Sequence, residues 1–412
     1  MRNGLSIFRE KEQIMIFSFV AMIFAPIWGV SYVIPFFLLF LFSMKGQREE
    51  IRHIFKSALD DQRVIKIFVA FCILLVSVLV SSLIHKGARW SGEDGMWVSI
   101  VIFLFYVMGL TVGYLVNKEK IIRYLRVAFL AGISLFVVTA SFTRYDSGIW
   151  ANINAITATA LLLAGGSMAL FSHTISTRIK SGLYRNYLIL TVLICYFAWF
   201  FCSFSTSDAG VLLFAGLLVT FCLFVPDEKY CRFFGVLCVV LLSGALVMLV
   251  RGEAIQFEVL LDNGKLENFL SFRPQILLEC LAVIQEHPWF GIGAREFLHG
   301  YDYIAAGIPD GMRWLGHTHC VYLHYFVAHG VFAGIAFLSV ILFNIRFVLA
   351  QVREKGISVF ALMALGIMYA YLSYGLVELT TASRELVPFV WGNLGLLAGV
   401  VLSKGKRLSA GV

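Results

Sequence analysis

Apolar runs close to the length of a bilayer-crossing helix dictate what this chain can fold into. They recur at roughly 12–28, 30–43, 64–84, 96–116, 122–141, 149–172, 185–203, 209–225, 231–250, 319–345, 357–378 and 386–403. A backbone surrounded by hydrocarbon must satisfy its N–H and C=O groups internally, and a run of about 20 apolar residues does so as an α-helix. With 60% of residues hydrophobic and 14% charged, the chain lies far from a soluble average. The expectation is an all-α polytopic membrane protein of about 12 transmembrane helices. The short second run forms either a hairpin with the first or one broken element with it.

Basic residues set the orientation, because Lys and Arg are retained on the cytoplasmic side. Nine of the 33 fall in outward loops when the N-terminus is placed inside, and the other 24 then lie on the cytoplasmic side with both termini. Lys45, Arg48, Arg52, Lys56, Arg63 and Lys66 share one such loop. This bias and anionic lipid account for the net charge of +8, and no basic nucleic-acid motif accompanies it. The first segment follows MRNGLSIFREKEQ without a small-residue cleavage site, so it is read as retained. Cysteines such as Cys72, Cys195, Cys222 and Cys238 sit in apolar runs without CxxC spacing and read as packing residues. Cys280 and Cys320 fall on the outer side, where pairing is open to them.

Residues 251–316 form the one long loop, between the ninth and tenth runs, and no internal repeat or linker divides the chain. We therefore read 1–412 as a single membrane domain that carries 251–316 as an external, partly helical loop, the natural place for a site. Within it, SFRPQILLECLAVIQEHPWFGIG predicts an amphipathic helix with apolar positions 276, 277, 280, 281 and 284. Gln275, Glu279 and Glu286 lie opposite, and His287-Pro288 with Gly291 and Gly293 ends the helix.

Two residue types gather where this loop meets the membrane. Five outward cations, Arg251, Lys265, Arg273, Arg295 and Arg313, lie within 251–313, and guanidinium offers an always-charged bidentate fork suited to phosphate. Headgroup contact or a salt bridge to Glu279 or Glu296 would explain them as well. His317, His319, His324 and His329, four of the nine histidines, follow in GHTHCVYLHYFVAHG. An imidazole there can accept a proton near neutral pH, as an activated hydroxyl nucleophile requires. Interfacial hydrogen bonding is the plainer reading of any one of them. Metal ligation by His317, His319 and His324 lacks the usual accompanying carboxylate or cysteine spacing.

Arg273 opening a helix, then EHPWFGIGAREF, then HTHCVYLHYFVAHGVFAG leading into a span, resembles the bacterial O-antigen ligase family and the related O-antigen polymerases. The resemblance covers about 75 residues at the motif level, from Arg273 onward. It implies transfer of a glycan from undecaprenyl pyrophosphate to a sugar hydroxyl of lipid A-core. The reaction would take place on the periplasmic face of the inner membrane, with no metal or cofactor and with inversion at the anomeric carbon. It also implies His319 as general base on the acceptor and Arg273 as a ligand of the donor pyrophosphate. The pattern departs at STSDAG, where Asp208 stands in place of an expected arginine; Arg384, Arg313 and Arg251 are the candidate substitutes, with His317 beside them. Cys320 replaces the family's asparagine, and His329 stands where an acidic residue is usual. Glu378, at the outer end of the eleventh run, is a natural partner for Arg384. A polymerase is the nearest rival reading. A lipid-linked glycan transporter is a more distant one, since it would carry its ionisable residues near mid-membrane.

Overall fold

The computed structural model describes residues 2–24, 33–85, 96–142, 153–176, 183–201, 208–224, 235–236, 273–293, 318–356, 358–376 and 386–409. Its elements are helices: α1 Arg2–Phe24, α2 Val33–Met44, α3 Arg48–Asp60, α4 Gln62–Ile84, α5 Met96–Leu115, α6 Lys118–Phe142 and α7 Ile153–Ser176. They continue with α8 Leu183–Trp199, α9 Asp208–Phe224, α10 Arg273–Glu286, α11 Val321–His329, α12 Val331–Lys355, α13 Val359–Tyr374 and α14 Leu386–Ser409. Four are long and apolar enough to cross a membrane unaided, namely α4, α5, α12 and α14, and shorter apolar stretches lie in α2, α7, α8, α9 and α13. The chain is thus an all-helical polytopic membrane protein over the described residues. Helices α1 and α6 occupy two further expected runs, whereas the run at 231–250 lies outside the described residues except for 235 and 236.

Polar ties collect one end of several helices. Lys11 Nζ donates to the Lys45 carbonyl at 3.0 Å, so α1 and α2 form a hairpin rather than one broken element. Glu12 accepts from the Asn117 amide and pairs with Lys120, which brings the α5–α6 connection to the same end. At the start of α4, Arg63 bridges Asp61 at 2.9 Å and Glu354 near the end of α12 at 3.0 Å. We refer to this as the basic end. Helix α3 was expected only as part of a loop; it exists because Ile54 and Ala58 bury one face while Arg48, Arg52 and Lys56 stay outside.

Close packing inside the bundle depends on small residues, as expected where lipid competes with apolar side chains for contact. Helix α14 is central, with 94% of its apolar window buried against 33% for α4. It crosses α5 backbone to backbone. A Cβ at Gly109 would come 2.0 Å from the Gly392 oxygen, and one at Gly395 would come 1.9 Å from the Tyr106 oxygen. Leu83, Leu188 and Leu223 point outward, 65–76% exposed, as a hydrocarbon surround permits.

The expected span at 319–345 is two helices. Gly330, at φ 83° and ψ −177°, interrupts it between α11 and α12. The hydropathy pattern passes unbroken through this point because both helices are apolar; the interruption is a matter of backbone geometry and tertiary contact.

Candidate active site

Opposite the basic end, the short helix α11 is held on three sides. The turn after α10 straps its C-terminal end: the Ile292 and Gly293 amides donate to the Val327 and Ala328 carbonyls at 3.0 Å each, and the Val331 amide donates to the Pro288 carbonyl at 2.7 Å. The first two bonds satisfy carbonyls that the last turn of α11 leaves without partners. Gly291 and Gly330 permit the approach, since a Cβ on either would fall within 2.4 Å of backbone oxygen. From α4, Ser81 Oγ donates to the Phe290 carbonyl at 2.8 Å and meets His329 Nδ1 at 3.3 Å. His85 Nε2 lies 3.3 Å from the same carbonyl. At the other end of α11, the Val321 amide donates to the Gly375 carbonyl, just past α13, at 2.9 Å.

Helix α10 packs on α11 through Ile276, Cys280 and Val283, against Val327, Ile292 and Leu323. This corrects the expected apolar face in part: 276, 280 and 284 do pack here, whereas Leu281 is 46% exposed, because the strap fixes the rotation of α10 with Val283 rather than Leu281 toward α11. The two helices run in the same direction. The strap joins their C-terminal ends, while Ile276 and Cys280, earlier in α10, share one buried cluster with Val327 and Leu323 of α11. Arg273 therefore opens α10 about two turns, roughly 10 Å, beyond the level of Cys280. The positive ends of both helix dipoles point the same way.

His319 stands at the head of α11. It is the sole non-glycine residue with positive φ among the described residues, at 45°, and it is 4% exposed. Such a conformation costs about 1–2 kcal/mol for an ordinary residue and persists only where the surroundings impose it. Here Thr318 brackets the turn: its hydroxyl donates to the Cys320 carbonyl at 3.0 Å and accepts from the Cys320 amide at 3.4 Å. Anchoring of Val321 to Gly375 holds the far side. The surroundings thus hold the backbone of this one residue in a strained conformation.

The other histidines have different places. His329 is buried and ties α11 to Ser81 of α4, a packing role. His324 is buried beside Tyr325, with ring centroids 5.9 Å apart. Cys280 and Cys320 are buried, free thiols. Burial pushes the Cys280 thiol up to about 12, with Cys320 and Glu279 adding to the shift, so it stays protonated at neutral pH and is a poor nucleophile. Among the described residues no three His, Cys, Asp or Glu side chains converge as a metal set. The Arg273 side chain, His317, Arg313, Arg384 and Glu378 lie outside what is described, as does the side chain of Asp208. Sequence reasoning missed Ser81, His85 and the Gly375 carbonyl, and nothing at these positions in the sequence singles them out.

The family model described as O-antigen ligase matches residues 191–338, a stretch that contains α10, the strap, His319 and α11. The match supports an O-antigen ligase family assignment and, in general terms, glycosyl transfer of the ligase or polymerase type in lipopolysaccharide biosynthesis. No curated protein matches the chain significantly.

Proposed function

We propose, from the O-antigen ligase assignment carried by residues 191–338, that this chain moves a glycan from undecaprenyl pyrophosphate to a sugar hydroxyl of lipid A-core. In this reading the reaction takes place at the periplasmic end of the bundle, with both termini in the cytoplasm. The acceptor oxygen attacks the anomeric carbon from the face opposite the leaving group, so the centre inverts. The sugar–pyrophosphate C–O bond breaks, and the acceptor proton passes to His319. Undecaprenyl pyrophosphate departs with the bonding electron pair.

The observation that carries the assignment of the base is the left-handed, bracketed backbone of His319. A strained residue at the head of a strapped helix is what preorganisation of a base calls for, since orientation lowers the barrier only when it is set before substrate arrives. Arg273 opens the helix docked on α11. Its guanidinium would hold the donor pyrophosphate with Arg384 and Arg313, and the parallel dipoles of α10 and α11 favour the same anion. His317 would contact substrate beside the base. Cationic donors placed where charge gathers on the leaving group stabilise the transition state more than the ground state. No metal or nucleotide has a part in this scheme.

The test is transfer by purified protein from undecaprenyl-pyrophosphate-linked glycan to lipid A-core, with and without EDTA, for wild type and His319→Ala. Product that survives EDTA and disappears in the variant is expected. Chain growth on the lipid donor in place of transfer to lipid A-core would make the protein a polymerase. Full activity in His319→Ala would remove the base assignment.

A further inference from the structure

At the basic end, away from the histidines, α1 and α6 leave a groove of about 540 Å³ between them. Its floor is apolar and shallow-sided: Val20 and Phe24 of α1 face Ala128, Ala131 and Gly132 of α6. These small residues recur three and four positions apart, so the groove runs along the helix axes rather than across them. Phe17 forms one wall, steadied edge-on by Phe36 of α2 with ring centroids 5.9 Å apart. The mouth is polar and cationic, with Gln13, Lys120, Arg123 and Tyr124. The two cations differ. Lys120 is paired with Glu12, whereas among the described residues no carboxylate pairs with Arg123, which is exposed.

We infer that this groove is a binding site for one anionic phospholipid, with an acyl chain along α1 and α6 and the headgroup phosphate on Arg123. Charge complementarity selects the occupant. A basic mouth above an apolar slot between helices matches a phosphodiester joined to a hydrocarbon chain, and such pockets on the positively charged side of a bundle are where anionic headgroups bind. A zwitterionic lipid would bring its own cation to Arg123 and gain less. The guanidinium can grip two phosphate oxygens at once, which a headgroup passing in the annular layer would not need. The site lies at the opposite end of the bundle from His319 and stands independently of the transfer reaction.

Native mass spectrometry of the detergent-purified full chain, titrated with phosphatidylglycerol or phosphatidylcholine, tests the inference. A first phosphatidylglycerol adduct should form well before any phosphatidylcholine adduct. Arg123→Gln should weaken it about fivefold, the worth of one cation beside an anionic headgroup. Ala131→Trp, placed on an exposed groove residue, should abolish that first adduct without lowering the thermal midpoint. Arg52→Gln, a control on exposed α3, should change nothing. Equal binding of the two lipids by wild type would overturn the inference. So would an effect of Arg52→Gln equal to that of Arg123→Gln, which would mean leaflet charge alone. A wild-type dimer that Ala131→Trp makes monomeric, with lipid preference intact, would instead assign the groove to a second copy of the chain.

Discussion

Replacing Gly330 with alanine should open the candidate site from the side of the strap. Two costs combine. The conformation at φ 83° and ψ −177° is one that glycine alone adopts readily, and holding another residue there costs about 1–3 kcal/mol. The new Cβ would also lie 2.2 Å from the Trp289 oxygen and 2.5 Å from the Phe290 nitrogen, both backbone atoms with no rotamer to relieve the overlap. The strap must then lift, and it holds α11 and α12 by three backbone bonds, from Ile292, Gly293 and Val331. At about 1 kcal/mol net each, these add roughly 3 kcal/mol. Gly356 supplies the control: its φ is 71° and ψ 179°, but nothing lies within 4 Å of its Cβ position, so alanine there incurs the conformational cost alone. The difference between the two variants should be about 3 kcal/mol, or on the order of a hundredfold in local opening. Hydrogen exchange of the Ile292, Gly293 and Val331 amides measures it directly, and glycan transfer should fall in the Gly330 variant only. Wild-type protection of these amides in Gly330→Ala, or an equal loss at the same amides in Gly356→Ala, would refute the account of the strap.

Other substitutions separate structure from chemistry. His319→Gly and His319→Ala both remove the buried imidazole, but only glycine relieves the left-handed strain, so the glycine variant should be the better protected of the two at residues 318–321 by about 1 kcal/mol while neither transfers glycan; equal protection in the two variants would refute the strain, and transfer by either would refute the base assignment. Arg273→Lys keeps the charge but loses the bidentate fork, and transfer should drop tenfold or more, on the order of one charge-assisted hydrogen bond, with protein levels in the membrane unchanged; full activity in the lysine variant would leave Arg273 a simple local charge. Burial raises the Asp61 carboxyl, but hydrogen bonds and charge from Arg63 outweigh it and hold the group below its usual range. Its stabilisation is therefore complete above the unfolded value of about 3.9 and lost as pH falls further. Asp61→Asn should cost under about 1 kcal/mol at neutral pH, because Arg63 is 35% exposed and water screens the pair, and nothing once the pH falls below the lowered folded-state value of the carboxyl. A thermal-melt difference that persists in acid would count against the ion pair.

Hydropathy alone is enough to read the class of fold. Hydrocarbon leaves a long apolar run no choice but to be helical, so α4, α5, α12, α13 and α14 fall where hydropathy puts them, and Arg273 opens its helix beside Pro274 as local rules require. The motif from Arg273 to His329 was legible as a family resemblance, and the matched region contains it. Hydropathy says nothing of how two apolar elements cross, because every pairing buries similar side chains. Long-range contacts, not hydropathy, break the tenth run at Gly330, dock α10 by 276, 280 and 283 rather than 281, and set His329 on Ser81 while His319 is turned into the left-handed region. The break at Gly330 and the docking of α10 depend on backbone carbonyls and amides of the strap, and Val321 is anchored by the Gly375 carbonyl, all from residues distant in the chain, and a carbonyl belongs to every residue alike. No side-chain pattern announces which one will be used.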